Sequence, residues 1–363
     1  MKTKKEDSKI SEIPDNNAPK KIGHYFTENN KDVQFFSSGC TQLDCALGGG
    51  WAEGRICNVI GDESTGKSLT AIEACINYLL KYPEGKIIYY EVEAAFDKRY
   101  AKSLGLPIEK VIFGRELYNE MVKEKEKQHP YNTVECLYNF LQEFVKLSKE
   151  SNIPILFVID SLDAISDIAE QEREIGDSTY GSNKAKQLSQ LFRRWGDGLA
   201  EANFTLMIIS QVRDKIGVTF GDKTDCSGGR ALKFYASQRL KLAELQKVPK
   251  TIDGITLSIG TKIKAKVIKN KVNAPYREWE YTLIAGYGID NVESNIRFLE
   301  ERQALDQFDF TKYSIIAGKT IAPIIEKIKK HPDRKQIMKE LGDLSTKIWN
   351  DIAAKFLPEN SKY

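Results

Sequence analysis

The chain has 363 residues, of which 54 are Lys or Arg and 51 are Asp or Glu, leaving a formal charge of +3. That near-balance excludes a histone-like polycation, although local patches and backbone amides can still hold phosphates. With 41% hydrophobic residues, no run of 18 apolar residues and no apolar stretch after the basic start, a membrane span and a secretory signal are excluded and a cytoplasmic globular protein is expected. Six Cys without a C-x-x-C pair, and only three His, argue for reduced thiols rather than a zinc site.

Residues 1–33 carry seven Lys against six acidic residues and few apolar ones, which predicts a mobile arm with a short helix near Lys21–Phe26. From 34 to 290, strand-like runs alternate with helical patterns: Ile56–Ile60, Ile87–Glu91, Ile155–Asp160, Leu206–Ser210 and Arg239–Leu245. This is the βαβ signature of a parallel sheet. Thr261–Lys269 and Trp279–Ile284 alternate like antiparallel strands added at its edge. Arg115–Asn132 interrupts the rhythm; its stretch to His129 holds four basic and four acidic residues and reads as a helical surface insertion. After Asn291 the pattern turns helical, over Ile321–Lys330 and Asp333–Phe356, and predicts a small C-terminal domain over 291–363. Its last 45 residues, with ten basic and six acidic side chains, carry about four positive charges.

Gly61-Asp62-Glu63-Ser64-Thr65-Gly66-Lys67-Ser68 fits G-x-x-x-x-G-K-[ST], between a strand and the expected helix Leu69–Leu80. Such a loop wraps phosphate with inward-pointing N–H groups at a helix N-terminus. Lys67 would reach the outer phosphates and Ser68 would ligate Mg²⁺. The run Ile155–Ile159 ends in Asp160, a carboxylate at the C-terminal edge of a buried strand, where ligands of open α/β sheets bind. Asp160 is the second candidate for Mg²⁺. Glu91 and Glu93 end a neighbouring strand on one face, and either could orient a water.

Several stretches together resemble the bacterial RecA recombinase family. They are Phe36–Gly48; Gly61–Ser68; Glu93–Gly105; Glu174–Gly181; Ser210-Gln211-Val-Arg213-Asp-Lys215-Ile216-Gly217 followed by Gly228-Gly229-Arg230-Ala-Leu-Lys233-Phe234; and Lys266–Pro275. The phosphate loop is generic; the block from Gln211 to Ser237 is highly specific. The implied fold is α/β: a RecA-type P-loop ATPase core over 34–290 with a mostly parallel sheet, an N-terminal arm that contacts the neighbour in a filament, and a small helical or α/β C-terminal domain. The implied activity is ATP-dependent DNA strand exchange, with ATP and Mg²⁺ as cofactors.

The resemblance also assigns residues. Glu93 matches the glutamate that activates water, Gln211 the γ-phosphate sensor, and Asp97 and Tyr100 the adenine contacts, while the loop with Leu69 holds the phosphates. Lys269 and Lys271 match a pair that reaches the neighbouring subunit's ATP, and Lys233 and Phe234 match interface residues. Two DNA-binding loops are implied, one with Gly176, Asp177, Ser178, Tyr180 and Gly181, the other with Arg213, Lys215, Ile216, Gly217, Val218, Phe220, Gly228, Gly229 and Arg230. Arg193 and Arg194 match a basic pair that supports DNA phosphates. The implied partners are single-stranded DNA, homologous duplex DNA, further copies of the chain in a helical filament, single-strand-binding protein and loader proteins, without a membrane. Tyr180, Ser210 and Arg230 depart from the family's usual residues, and the insertion and the missing acidic tail suggest a divergent or phage-encoded member. The alternative reading is another RecA-fold DNA-dependent ATPase, such as a ring helicase or a recombination mediator.

Overall fold

The computed structural model describes residues 33–124, 129–172, 182–195, 198–214, 224–226, 229–316 and 320–356. The arm over 1–32 with its expected helix, the loop residues 176–181, 215–223 and 228, and the last seven residues lie outside them.

Nine strands form the body of one sheet: β1 (Ile56–Gly61), β2 (Lys86–Glu91), β3 (Val111–Phe113), β4 (Ile155–Asp160), β5 (Phe204–Asp214), β6 (Gln238–Ile252), β7 (Ile255–Asn270), β8 (Glu278–Ile284) and β9 (Gly288–Ile289), in the spatial order β9-β8-β7-β6-β1-β5-β4-β2-β3. The six strands from β6 to β3 run parallel, and β7, β8 and β9 add antiparallel at one edge. The mixed sheet is the one the sequence predicts. Its central strands are continuous apolar runs because both faces are covered. The pleat divides them: Ile87, Tyr89, Leu156 and Val158 enter one core, and Ile88, Tyr90, Ile155, Phe157 and Ile159 the other.

On the first face lie α1 (Thr41–Leu47) and α2 (Lys67–Lys81); α3 (Lys98–Ser103) and α4 (Gly114–Glu124) flank β3. On the other face pack α5 (Val134–Ser151) and α6 (Ser182–Trp195). The α4 helix covers the first half of the expected insertion, but the segment is not purely superficial. Tyr131 near its end is buried and stacks on Tyr90, with ring centres 4.4 Å apart, while Arg115 sits 4.6 Å from the Tyr131 ring. Helix α7 (Gly229–Tyr235) leads into β6.

Strands β6 and β7 continue well past β1 and β8 as a two-stranded ribbon. Its tip is Asp253-Gly254, with φ of 50° and 78°. Two left-handed residues make the tight turn whose twist suits a hairpin. Ile252, Ile255 and Leu257 stand exposed near the tip.

The C-terminal segment holds α8 (Asn291–Glu301), α9 (Ala322–Lys330) and α10 (Arg334–Ala354). The first of these was not singled out in the sequence. Among the described residues, the buried side chains of these helices join the core of the sheet. Ile296, Leu299, Ile324, Ile328, Ile337 and Leu341 belong to the same buried cluster as Leu43, Leu47 and the first face of the sheet. Polar bonds reinforce the seam: Gln42 Nε2 donates to Asn295 (3.0 Å), Ser294 Oγ to Gln42 (2.6 Å), and the Thr41 amide to Asn291 (2.9 Å). Among the described residues, the three helices thus pack directly on the first face of the sheet. Among the described residues, no helix is long and apolar enough to cross a membrane. Leu341→Ala should cost about 2–5 kcal/mol. Denaturant unfolding followed at both ends of the chain should remain one coincident transition, whereas an independent C-terminal domain would melt first and alone.

Candidate nucleotide site

The C-terminal ends of β1, β5, β4 and β2 lie side by side. Gly61 pairs with Gln211, Ile159 with Ile208, and Glu91 with Asp160. The parallel register therefore delivers the phosphate loop, Gln211, Asp160 and the Glu91–Glu93 segment to one edge.

The loop itself is closely fitted. A Cβ on Gly61 would lie 2.5 Å from Thr65 Oγ1 and 2.8 Å from the Leu242 carbonyl oxygen. Gly66 has φ +82°, and a Cβ there would strike Leu283 Cδ1 at 2.2 Å. Glycine is required at Gly66 on both counts. Thr65 Oγ1 donates to the Asp62 carbonyl (2.9 Å), and Lys67 Nζ donates to the same oxygen (2.6 Å). Lys67 also feels Asp160, Glu93, Asp163 and Asp62, which oppose the lowering of its pKa by burial. Helix α2 begins at Lys67 and carries Ser68 and Leu69 in its first turn.

Asp160 accepts hydrogen bonds from Tyr89 OH (2.7 Å) and from Ser68. Burial raises its pKa, and both hydrogen bonds and Lys67 oppose the rise. Ser68 and Asp160 offer hard oxygen donors on a partly desolvated site. Among the described residues, no group of three or more His, Cys, Asp or Glu side chains could hold a metal alone. A hydroxyl and a carboxylate beside a phosphate loop fit Mg²⁺, which keeps waters and takes its other ligands from substrate phosphates. The residues therefore fit both ATP phosphates and Mg²⁺.

The two glutamates left open by the sequence separate here. Glu91 Oε1 accepts from the Ala95 amide (2.8 Å) and pins the turn after β2. Glu93 is exposed; its Oε1 accepts from Ser161 Oγ and lies 3.5 Å from Gln211 Nε2. Gln211's amide N–H donates to Asp163 (2.7 Å). Ser210, an unusual residue here, is buried and receives Asn58 Nδ2 at 3.1 Å. Asp97 caps α3 by accepting from the amides of Arg99 (2.8 Å) and Tyr100 (3.1 Å), which leaves both residues on one helix start. The sequence missed one wall: the end of β8 with the turn to β9, where Leu283 meets Gly66. The Gly286 and Gly288 pair was the available signal.

Lys269 and Lys271 lie elsewhere. Gln238, at the start of β6, pairs with Cys57 of β1, and Lys269 of β7 pairs with Arg239. The pair stands at the opposite end of the sheet from Gly61, roughly 13 Å of strand away at about 3.3 Å per residue. Lys269 Nζ donates to the carbonyls of Lys233 (2.5 Å) and Phe234 (2.7 Å), and Lys271 Nζ lies 5.3 Å from the Phe234 ring. Phe234 itself is 66% exposed. Burial, with Lys271 and Arg239 nearby, lowers the Lys269 pKa to about 8.

Of the DNA candidates, Arg193 and Arg194 are exposed near the end of α6, with Arg194 donating to Tyr138 OH (2.7 Å). Gln211's strand runs on as Val212-Arg213-Asp214, paired antiparallel with Thr224–Cys226. Gly229 has φ +53° at the start of α7, and Arg230 is exposed. Gly176, Asp177, Ser178, Tyr180, Gly181, Lys215, Ile216, Gly217, Val218, Phe220 and Gly228 lie outside the described residues.

Comparison with known proteins decides the kinship. The model of the RecA N-terminal domain matches residues 5–125 and 139–290. The chain belongs to the RecA family. It is 36% identical over 261 residues to Protein RecA of Streptomyces avermitilis, covering 72% of this chain and 62% of that protein. It is 34% identical over 269 residues to Protein RecA of Synechococcus elongatus, covering 74% and 68%. The alignments span a little under two thirds of the Streptomyces relatives' length. The RecA model leaves residues 126–138 unmatched, within and just after the segment read as an insertion.

With a pKa of about 8, Lys269 carries substantial neutral amine at pH 8, whereas Glu278 holds Lys264 charged. Amine acylation at that pH, read by mass spectrometry, should modify Lys269 before Lys264. Equal rates would contradict the assignment.

Proposed function

We propose that this chain is an ATP-dependent DNA strand-exchange protein that assembles on single-stranded DNA and pairs it with homologous duplex, in the bacterial cytoplasm. The observation that carries the reading is Gln211. Its side chain faces Glu93, and its strand continues directly toward the segment matching the family's second DNA-binding loop. A residue so placed links nucleotide state to that segment through one short strand.

Gly61 to Leu69 receive the phosphates, and Asp97 with Tyr100 receive the base. Ser68 and Asp160 hold Mg²⁺, which neutralises charge on the phosphates. Glu93 accepts the proton of the attacking water. Lys269 and Lys271 cannot reach the loop of their own chain, so they serve the loop of a second copy. A contact between opposite ends of two identical chains is heterologous and propagates as a helical filament. Lys233 and Phe234 lie on that surface. The loops around 176–181 and 213–230, with Arg193 and Arg194, hold the DNA backbone, while base pairing supplies sequence specificity. Residues 1–33 contact the neighbouring copy, 34–290 form the ATPase body, and 291–363 cap it. Single-strand-binding protein and loaders act on the same filament.

Glu93→Gln should lower kcat for ATP by at least about 100-fold, whereas Glu91→Gln should stay within about threefold. Steady-state hydrolysis of both variants checks the separation. Turnover by the unmodified chain should rise strongly and cooperatively with protein when single-stranded DNA is added. Turnover indifferent to DNA would leave an ATPase of another RecA-fold class.

A further inference from the structure

The pairing of β4 with β5 ends at Ile159 and Ile208, three residues short of Gln211. Strand β4 itself stops at Asp160, and the chain turns away through Ser161 and the short helical turn Leu162–Ala164. Beyond the last rung, a main-chain N–H facing that gap must find another acceptor. Asp163, in the turn, supplies it: its Oδ2 accepts from the Gln211 amide at 2.7 Å. A carboxylate makes such a bond stronger than a neutral rung of the sheet. On its other flank Gln211 still pairs with Gly61, and the preceding Ser210 is buried and held by Asn58.

The same turn makes two further contacts. Ser161 Oγ donates to Glu93 Oε1, and Gln211 Nε2 stands 3.5 Å from that oxygen. Lys184 Nζ, in the first turn of α6, donates to the Asp163 main-chain oxygen at 3.4 Å. Helix α6 starts directly after the segment that resembles the first DNA-binding loop, and β5 leads into the one that resembles the second. One turn thus meets Glu93, Gln211 and the helix that follows a DNA segment. We propose that Asp163 is a positioning residue: its carboxylate fixes the main chain of Gln211, so that DNA held beyond Gln211 alters the geometry at Glu93. The inference rests on the reading of Gln211 as the link between nucleotide and DNA.

A second route is open to the same carboxylate, because Lys67 feels its charge. The two routes differ in what they change. A field on Lys67 acts on the outer phosphates and so on ATP affinity. A bond to the main chain of Gln211 acts on how turnover responds to DNA. Asn in place of Asp163 keeps a carbonyl oxygen for the Gln211 amide and removes the charge. Ala removes both.

The test is steady-state ATP hydrolysis by the full chain with Mg²⁺, with and without saturating poly(dT), for the unmodified protein, Asp163→Ala and Asp163→Asn. In Asp163→Ala the ratio of kcat with DNA to kcat without it should fall by about 10-fold, the scale of one hydrogen bond to a charged group. KM for ATP should move by less than about threefold. Asp163→Asn should restore the ratio to within about threefold of the unmodified protein. Asp163→Leu, close to Asn in shape and without an acceptor, should behave as Asp163→Ala, and it replaces that variant if the smaller side chain unfolds the chain. An undiminished ratio without the acceptor overturns the inference. So does an Asp163→Asn as impaired as Asp163→Ala, which would assign the effect to charge. ATP hydrolysis by the unmodified protein that ignores DNA would overturn the reading of Gln211 and the inference with it, and leave the nucleotide site standing.

Discussion

Gly61 opposite Gln211, and Glu91 opposite Asp160, are the pairings on which the site depends. In a parallel sheet a slip of one residue turns every side chain to the other face. A slip between β4 and β2 would bury the wrong halves of two strands and withdraw Asp160 from Ser68. The apolar runs resist this because each residue is committed to one of two cores: Tyr89 must reach Asp160 on one face while Tyr90 packs against Tyr131 on the other. The chemistry at the strand ends is held in place by packing several residues further back.

The strands were legible because their buried runs are long and β-rich, and the phosphate loop because its glycines and lysine have fixed spacing. Glu91 and Glu93 could not be separated from sequence: both fit the alternation, and only the turn at Ala95 claims Glu91. The ribbon past Leu245 was underestimated although Asp253-Gly254 is a strong hairpin signal, since its flanking Thr, Lys and Pro weaken the strand pattern. The docking of the C-terminal helices on α1 was illegible for a different reason. A switch to helical periodicity marks a change of element, and the partner of those helices, α1, lies some 250 residues earlier in the chain. No local pattern reports that.

The two ends of the sheet are chemically unlike. At one, carboxylates outnumber cations around the phosphate loop; at the other, Lys269 and Lys271 gather around the carbonyls and ring of α7. Among the described residues, the recorded partners of these lysines are neutral carbonyls and a ring rather than carboxylates.

The seam between α1 and the C-terminal helices also bears on how the chain reaches its fold. Leu43 and Leu47 find their buried neighbours Ile296, Ile337 and Leu341 only after nearly three hundred further residues have been made. During synthesis the apolar side of α1 and of the phosphate-loop helix must wait exposed or be shielded. Nucleation from the amino-terminal half alone would leave one face of the sheet uncovered, so assembly of the core is deferred to the closing stage of translation and dominated by contacts distant in sequence.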